Sequence, residues 1–427
     1  LVNLTPSLWK VKMSVSLKIL SEPVSYNEFS SYRKLRKEIK ATAQQDQYRK
    51  YVIIFGLAWI AGDKEFNFLS ACTSKGEIVV WRVPTGSSDE KNGIDCSRPI
   101  FRQKISQGKL YSIKVEKVGT KRLLIVNGDD GVSVFDWEAD VLKTHLQHNI
   151  SKSEEPKLSP AIQFRPHPSP LESRGIEVND VQVLQGDKNN YLFGAAGDSF
   201  GVYKWDLETG KLLSNYKSPG SGYLHSIQLV PANEGNRPST LLAGGEGGRL
   251  EFWDVNQDKS MGQIDLTTVS AADASSASTD TTARANPSKR AKTTSRWISS
   301  ICPYDANWFS VAGGSGAGGY RGSSGGMSGN GFVATYHQPT RSLVSWVDTR
   351  ETPQQLAVLP SAMESSVQHS LISVANEGVV SHFNALSLDI TRRQWCSPPS
   401  AYAAAVSKDG QHSAIGGVGC LVDVFDS

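Results

Sequence analysis

The sequence has few cysteines, and they are not arranged in pairs. Five cysteines occur in 427 residues, an odd number, and no two of them form a Cys-x-x-Cys pair. They are Cys72, Cys96, Cys302, Cys396 and Cys420. A disulfide framework or a zinc ribbon would need an even or paired set, so neither is expected. We expect reduced, buried thiols of the kind found in nuclear or cytosolic proteins.

Long apolar runs are also absent. No stretch approaches the ~18 residues that a membrane-spanning helix requires. Lys10, Lys12 and Lys18 are scattered among apolar residues, whereas a secretory signal keeps its basic and apolar regions apart. The Asn-x-Ser/Thr triplets at Asn3 and Asn149 are therefore not expected to carry glycans. Because residue 1 is Leu, we expect the natural start to be Met13 or an upstream residue.

No excess of charge of one sign is present. The chain has 45 basic and 42 acidic residues, for a net charge of +3, which is too balanced for a nucleic-acid binder that relies on its overall charge. Apolar residues make up 39% of the chain, enough for a large core. The 38 glycines and ten tryptophans indicate many short strands joined by tight turns.

One pattern recurs seven times. Each copy has a run of small and apolar residues, a turn with Gly or Asp, and an alternating strand that ends in an aromatic residue. The closing aromatics are Trp81, Trp137, Trp205, Trp253, Tyr336, Phe383 and Phe425, separated by 42 to 83 residues. The shortest spacings match the ~40–45-residue period of a WD-repeat blade, and the longer ones require insertions.

Each copy has the chemistry of a two-stranded hairpin. In AGGEGGRLEFWD the glycines permit the positive φ of a tight turn, and Leu250 and Phe252 then alternate with Arg249 and Glu251. The Trp-Asp dipeptide that names the repeat follows in two copies. The sequence therefore predicts an all-β fold, a seven-bladed WD-repeat β-propeller with a short N-terminal helix.

Two details set this propeller apart. The chain has no Gly-His dipeptide, so the His–Asp–Trp hydrogen-bond network of a standard blade is largely missing. The last copy ends at Phe425, which leaves its blade without an outer strand. We expect the apolar segment Tyr51–Leu57, or a segment near it, to supply that strand and to close the ring.

The domain organisation follows from these copies. Residues 1–50 are predicted to form an N-terminal extension with an amphipathic helix over about 27–50, and residues 51–427 the propeller. Loops over about 258–296 and 313–330 are predicted to be disordered, because they are rich in Ser, Thr, Ala and Gly and have few large apolar residues. Residues 147–178, which contain five prolines, are predicted to form a third loop.

A basic cluster lies in the first of these loops. Lys289, Arg290 and Lys292 have no acidic neighbour after Asp280. A short basic run in a disordered loop is typical of a nuclear-import signal or a nucleic-acid contact. A merely solvated loop is an equally good interpretation.

An apolar stripe marks the N-terminal helix. Phe29, Tyr32, Leu35 and Ile39 recur at helical spacing, and Arg and Lys cover the other sides. The stripe is a candidate partner-binding surface. Packing of the helix on its own propeller explains it equally well.

Motifs for catalysis and cofactor binding are not convincing. Gly314-x-Gly316-x-x-Gly319 has the letters of a dinucleotide fingerprint, but Gly and Ser follow it where a helix is needed to hold the phosphates. His145 and His148 have no Cys or acidic partner at metal-ligand spacing. Asp129-Asp130 lies in a hairpin turn, where Asp is favoured for backbone reasons. We expect no catalytic residues, no cofactor and no metal.

Several blade sequences resemble one WD-repeat family. They are VNDVQVLQGDKNNYLFGAAGDSFGVYKWDLETGKL, GYLHSIQL, LLAGGEGGRLEFWDV, RWISSICPYDANWFSVAGG, NGDDGVSVFDW and GGVGCLVDVF. Their order is similar to that of the THO complex subunit 6 family, over roughly residues 27–427 without the loops. The charged helix before the first blade is similar as well.

The resemblance implies a non-catalytic scaffold of the nuclear THO/TREX assembly, which packages messenger RNA and couples transcription to export. It implies other THO/TREX subunits as partners. From the balanced charge we expect RNA to be contacted only indirectly or weakly, with no membrane and no small-molecule substrate. One alternative is a substrate receptor of a cullin-type ubiquitin ligase, but the W-D-x-R box of such receptors is absent, because Glu208 and Asn256 stand where the Arg would be. A generic WD scaffold is the other alternative.

Overall fold

The chain folds into seven β-sheets, the blades of a propeller. The computed structural model describes residues 16–20, 24–45, 52–62, 66–85, 99–137, 158–165, 177–186, 189–197, 201–217, 222–232, 238–269, 296–315, 331–360 and 369–426. The predicted seven-bladed all-β fold with a short N-terminal helix is confirmed.

The blades follow one another along the chain, and each begins with its innermost strand. Blade one is β3 (Ile54–Ile60), β4 (Phe66–Thr73), β5 (Glu77–Pro84) and β6 (Phe101–Lys104). Blade two is β7 (Leu110–Val118), β8 (Lys121–Gly128), β9 (Gly131–Asp136) and β10 (Ile162–Phe164). Blade three is β11 (Val178–Leu184), β12 (Tyr191–Ala196), β13 (Gly201–Asp206) and β14 (Leu212–Lys217). Blade four is β15 (Leu224–Leu229), β16 (Thr240–Gly245), β17 (Arg249–Asp254) and β18 (Lys259–Asp265).

The last three blades complete the ring. Blade five is β19 (Arg296–Pro303), β20 (Trp308–Ser315), β21 (Gly331–His337) and β22 (Ser342–Thr349). Blade six is β23 (Pro353–Leu359), β24 (Ser370–Ala375), β25 (Val379–Asn384) and β26 (Ile390–Trp395), with the two-residue β2 (Val24–Ser25) added outside β26. Blade seven is β27 (Ala401–Val406), β28 (His412–Gly417) and β29 (Leu421–Asp426), with β1 (Ser16–Leu20) on its outer edge. The single α-helix of the described residues, α1, spans Phe29–Gln45, inside the expected range 27–50.

Each predicted repeat copy is the second and third strand of a blade. All seven closing aromatics are buried, because they lie at the end of the third strand between neighbouring blades. Trp253, for example, stacks on Tyr216 of the preceding blade with ring centroids 5.2 Å apart. The core is thus a ring of apolar layers between blades.

The predicted closure of the ring was wrong in its strand. Blade seven is completed by β1, which pairs in parallel with β29 from Ser16↔Leu421 to Leu20↔Phe425. The apolar run expected to do this instead forms β3, the innermost strand of blade one, in which Ile54, Leu57 and Ile60 are buried. An innermost strand is covered by neighbouring blades, which explains why the run is so apolar. Tyr51 lies outside the described residues.

The boundaries predicted for loops and domains also need correction. The loop expected over 258–296 begins too early, because Lys259–Asp265 forms the outer strand of blade four. This strand is largely solvent-exposed and therefore has the composition of a loop. The loop expected over 313–330 overlaps β20, and the Pro-rich stretch contains β10. The domain boundary predicted at residue 50 is also wrong, because β1 and β2, which precede it, are strands of blades seven and six.

One further structural finding concerns membranes. Among the described residues, α1 and the other helical segments are too short or too polar to cross a bilayer.

Candidate functional site

Every innermost strand has a β-bulge near its start, at the second residue in six blades and at the fourth in blade five. In blade one, for example, Ile54 pairs with Thr73 and Gly56 with Cys72, which leaves Phe55 unpaired between them. The bulged residues are Phe55, Tyr111, Asn179, His225, Ser299, Gln354 and Tyr402. Bulges change the direction of a side chain, and all seven of these side chains line a cavity of about 1190 Å³ along the central channel. We call these seven residues the channel mouth.

The channel mouth has two chemically different halves. Blades seven, one and two contribute Tyr402, Phe55 and Tyr111, which we call the aromatic wall. The Phe55 ring lies 5.8 Å from the Tyr111 ring at 52° and 5.6 Å from the Tyr402 ring at 69°. The rings therefore form a continuous, folded apolar surface that is half-buried at the end of the cavity.

Blades three to six contribute the polar half, whose side chains are held by the propeller itself. Asn179 donates from Nδ2 to the Leu224 carbonyl at 2.7 Å. The Ser299 hydroxyl lies 3.0 Å from the Ala312 carbonyl and 2.8 Å from the Pro353 carbonyl. Burial lowers the pKa of His225, although Glu246 opposes this effect, so the imidazole is neutral near pH 7.

The residue after each bulge also has a recurring environment, since in most blades it contacts the next blade, whereas Ser112 donates to Asn127 of its own blade at 2.6 Å. These residues are Gly56, Ser112, Asp180, Ser226, Ser300, Gln355 and Ala403. At four consecutive blade junctions this side chain accepts a hydrogen bond from a backbone N–H of the following innermost strand. The donors are Ile227 to Asp180 at 3.1 Å, Ile301 to Ser226 at 3.2 Å, Leu356 to Ser300 at 3.1 Å, and Ala404 to Gln355 at 2.8 Å.

The same position is small at the other side of the ring. A Cβ atom on Gly56 would lie 2.9 Å from the backbone nitrogen of Ile113 in the next blade. Here the innermost strands approach too closely for a side chain. A standard blade is stabilised by its His–Asp–Trp hydrogen-bond network, which is largely missing here. We infer that the hydrogen bonds between blades replace part of that stabilisation.

Asp180 is the most highly bonded of these residues. Besides Ile227, its carboxylate accepts from the Val181 N–H at 2.8 Å and pairs with Lys114 Nζ at 2.9 Å. Burial also raises the pKa of Glu116, an effect that Lys114 partly offsets. Asp180 and Lys114 thus neutralise each other inside the channel.

The described residues offer little to bind a metal ion or to act as a catalytic nucleophile. No three His, Cys, Asp or Glu side chains of that part of the chain are grouped to hold a metal ion. Burial raises the pKa of Cys302 to about 12, so its thiol is not an activated nucleophile.

The short motifs have structural roles where they are described. A Cβ on Gly314 would lie 2.2 Å from Trp297 Nε1, so this glycine makes room for an indole. Asp206 and Asp254 of the Trp-Asp dipeptides accept hydrogen bonds from backbone N–H groups two and three residues on, which closes turns. Asp129 does more than shape its turn, because it also accepts from the Tyr111 hydroxyl at 2.6 Å. His145, His148, Gly316 and Gly319 lie outside the described residues.

The apolar stripe of α1 faces the propeller's own sixth blade. Leu35 is only 6% exposed and packs against Val379 and Trp395, with Tyr32 and Ile39 beside it. Phe29, at 59% exposed, is the stripe residue that faces solvent. Three of the four candidate partner-binding residues are therefore already in contact with the chain itself.

Aromatic stacking and hydrogen bonds fix the helix in place. The Trp395 indole is stacked between Tyr32, at 3.9 Å, and Tyr26, at 4.9 Å. Arg36 donates to the Ser397 carbonyl and to the Glu377 carbonyl, both at 3.1 Å. These partners are more than 340 residues away in sequence, so the stripe could be seen in the sequence but its partner could not.

The outward face of α1 is basic. Arg33, Lys34, Lys37 and Lys40 are exposed, and the Arg33 guanidinium lies over the Phe29 ring at 4.9 Å. This face remains available to a partner. The basic cluster Lys289, Arg290 and Lys292 lies outside the described residues, and its role stays a prediction.

Comparison with known proteins supports the resemblance noted in the blade sequences. No family model matches the chain. Among curated proteins, the chain is 27% identical over 201 residues to THO complex subunit 6 of Homo sapiens, covering 47% of this chain and 50% of the human protein. It is 25% identical to the homolog of Mus musculus over the same shares, and 23% identical to that of Danio rerio over 47% and 53%. The chain thus spans about half the length of the curated relatives it matches.

Proposed function

We propose that this chain is a non-catalytic scaffold subunit of a THO-type complex in the nucleus, where it helps to couple transcription to mRNA packaging and export. The similarity to proteins named THO complex subunit 6 carries the proposal. The seven-bladed fold supports it, because a propeller offers several faces to partners.

The described channel supports a scaffold over an enzyme. Asp180 is engaged with Lys114 and with a backbone N–H group. Catalytic sites instead keep perturbed acid, base or nucleophilic groups available to a substrate.

The partners in this proposal are other THO/TREX subunits, and α1 is the expected point of contact. Since the stripe is occupied by blade six, the contact uses the outward basic face of the helix. RNA binding in this proposal is indirect or weak, because a net charge of +3 provides little phosphate-neutralising potential.

Affinity purification of the tagged full-length chain from nuclei of its own organism, followed by mass spectrometry, tests the proposal. We expect THO subunits in stoichiometric amounts. Exchanging Lys34 and Lys37 for Glu should remove them, whereas Lys259→Glu, on the exposed outer strand of blade four, should not. Recovery of cullin adaptors, or of no THO subunit from the unaltered chain, would contradict the proposal.

A further inference from the structure

The aromatic wall is not explained by the packing of the propeller. The same bulge position is polar in blades three to six, so the fold does not need an aromatic side chain there. Phe55, Tyr111 and Tyr402 belong to none of the apolar clusters between blades, and they line the channel cavity.

Negative charge lies directly beside the wall. Asp129 accepts from the Tyr111 hydroxyl at 2.6 Å and from the Lys109 backbone N–H at 2.8 Å. Within the described part of the chain, Asp129 has no cation at ion-pair distance. Burial, and then the carboxylates of Asp129 and Glu177, raise the pKa of Tyr111, which therefore stays a neutral hydroxyl.

No cation at the described mouth competes for this site. Lys114 is paired with Asp180, and His225 is neutral near pH 7. Lys117, Arg122 and Lys408 also line the cavity, but they lie near the ends of the innermost strands that are opposite the mouth. The remaining polar residues of the mouth, Asn179, Ser299 and Gln354, carry no charge.

We propose that the aromatic wall and Asp129 bind an arginine or lysine side chain of an extended partner peptide that enters the channel. Ring faces attract cations and accept the apolar stem of a long basic side chain. A carboxylate at the edge of the wall pairs with the charged head. A cavity of about 1190 Å³ has room for the neighbouring peptide residues. This inference rests on the proposed scaffold role, of which it specifies one binding chemistry.

A single-stranded nucleic acid is the competing occupant, since bases also stack on aromatic side chains. The two carboxylates beside the wall disfavour it, because they repel phosphates. The observations therefore favour a basic peptide, and an RNA arm in the experiment decides between the two.

Isothermal titration of the full-length chain tests the proposal. The probes are the blocked pentapeptide Gly-Gly-Arg-Gly-Gly, the same peptide with neutral citrulline for arginine, and a short oligouridylate, each up to about 5 mM so that a Kd near 1 mM is measurable. We expect the arginine peptide to bind at least about tenfold more tightly than the citrulline peptide, because only the former is a cation. Absence of arginine-peptide binding, equal binding of citrulline, or tighter binding of the RNA overturns the proposal.

Variants locate the site. Tyr402→Leu and Asp129→Asn should each weaken the arginine peptide at least about fivefold, whereas Glu208→Gln, in an exposed turn of blade three away from the cavity, should leave it unchanged. Thermal unfolding of each variant separates loss of the site from loss of the fold, and Tyr402→Phe, which keeps the ring, should bind normally. Equal loss in Glu208→Gln overturns the assignment. Loss of THO subunits from the purification with arginine-peptide binding intact would refute the proposed function alone.

Discussion

Replacing Asp180 by Ala should destabilise the propeller by about 3 kcal/mol. The residue is 8% exposed, and its carboxylate accepts from the Ile227 and Val181 N–H groups while pairing with Lys114. Alanine leaves the buried Ile227 N–H without this acceptor and Lys114 without its counter-ion. Breaking a buried charge pair costs about 3–5 kcal/mol, and the lower end applies because the channel admits water to Lys114.

Urea unfolding followed by tryptophan fluorescence measures this change in the free energy of unfolding. If the dependence of that free energy on urea concentration is the same in the variant and the unaltered chain, the two unfolding transitions can be compared directly. Lys114→Met is the matched control. It removes the ion pair but leaves Asp180 its two backbone donors, which continue to stabilise the carboxylate, so we expect a smaller loss of about 2 kcal/mol. If Asp180→Ala costs less than about 0.5 kcal/mol, hydrogen bonds between the innermost strands do not hold the ring. If the two variants cost the same, the ion pair and not the backbone bonding is responsible.

Three further predictions concern the helix, the basic cluster and pH. Leu35→Asp should free α1 from blade six and speed hydrogen exchange over the helix, whereas Phe29→Asp should not; equal exchange in both would show that the stripe does not hold the helix. Alanine at all three positions of the basic cluster should shift the chain, expressed without partners, toward the cytoplasm, and an unaltered distribution would show that import depends on the complex. Burial, with Arg392 beside it, lowers the pKa of His382 from 6.5 to about 4, so His382 binds its proton less readily in the folded state. The free energy of unfolding should therefore fall as the pH drops from 6.5 toward 4, by at most about 3 kcal/mol. His382→Gln should remove part of this fall, which is measured from urea midpoints at several pH values. Identical pH profiles for the variant and the unaltered chain would contradict this prediction.

The sequence predicted the hairpins of the blades well because their signals are local. Small residues before a Gly or Asp turn, then alternation up to an aromatic, describe β16 and β17 without reference to any other strand. The outer strand β18 was not predicted, because an edge strand that is exposed to solvent lacks the alternation of apolar and polar residues.

The pairing of strands that are far apart in the chain could not be predicted from the sequence. Nothing near Ser16–Leu20 indicates a parallel partner about 400 residues away, so the more apolar run at β3 was chosen instead. The bulges have a faint local signal, an apolar residue, a variable one and then a small or polar one, as in Leu224-His225-Ser226. Only the register shows that the middle residue turns into the channel.

The position of β1 has a consequence for biosynthesis. Its partner β29 lies about 400 residues later in the chain, so β1 has no strand to pair with until that length has been synthesised. At a synthesis rate of roughly 5–20 residues per second, Leu17 and the stripe of α1 wait for tens of seconds with their apolar side chains uncovered. Blades one to five can form on the ribosome during that time. The ring itself is completed only when β1 docks on β29, a strand made much later.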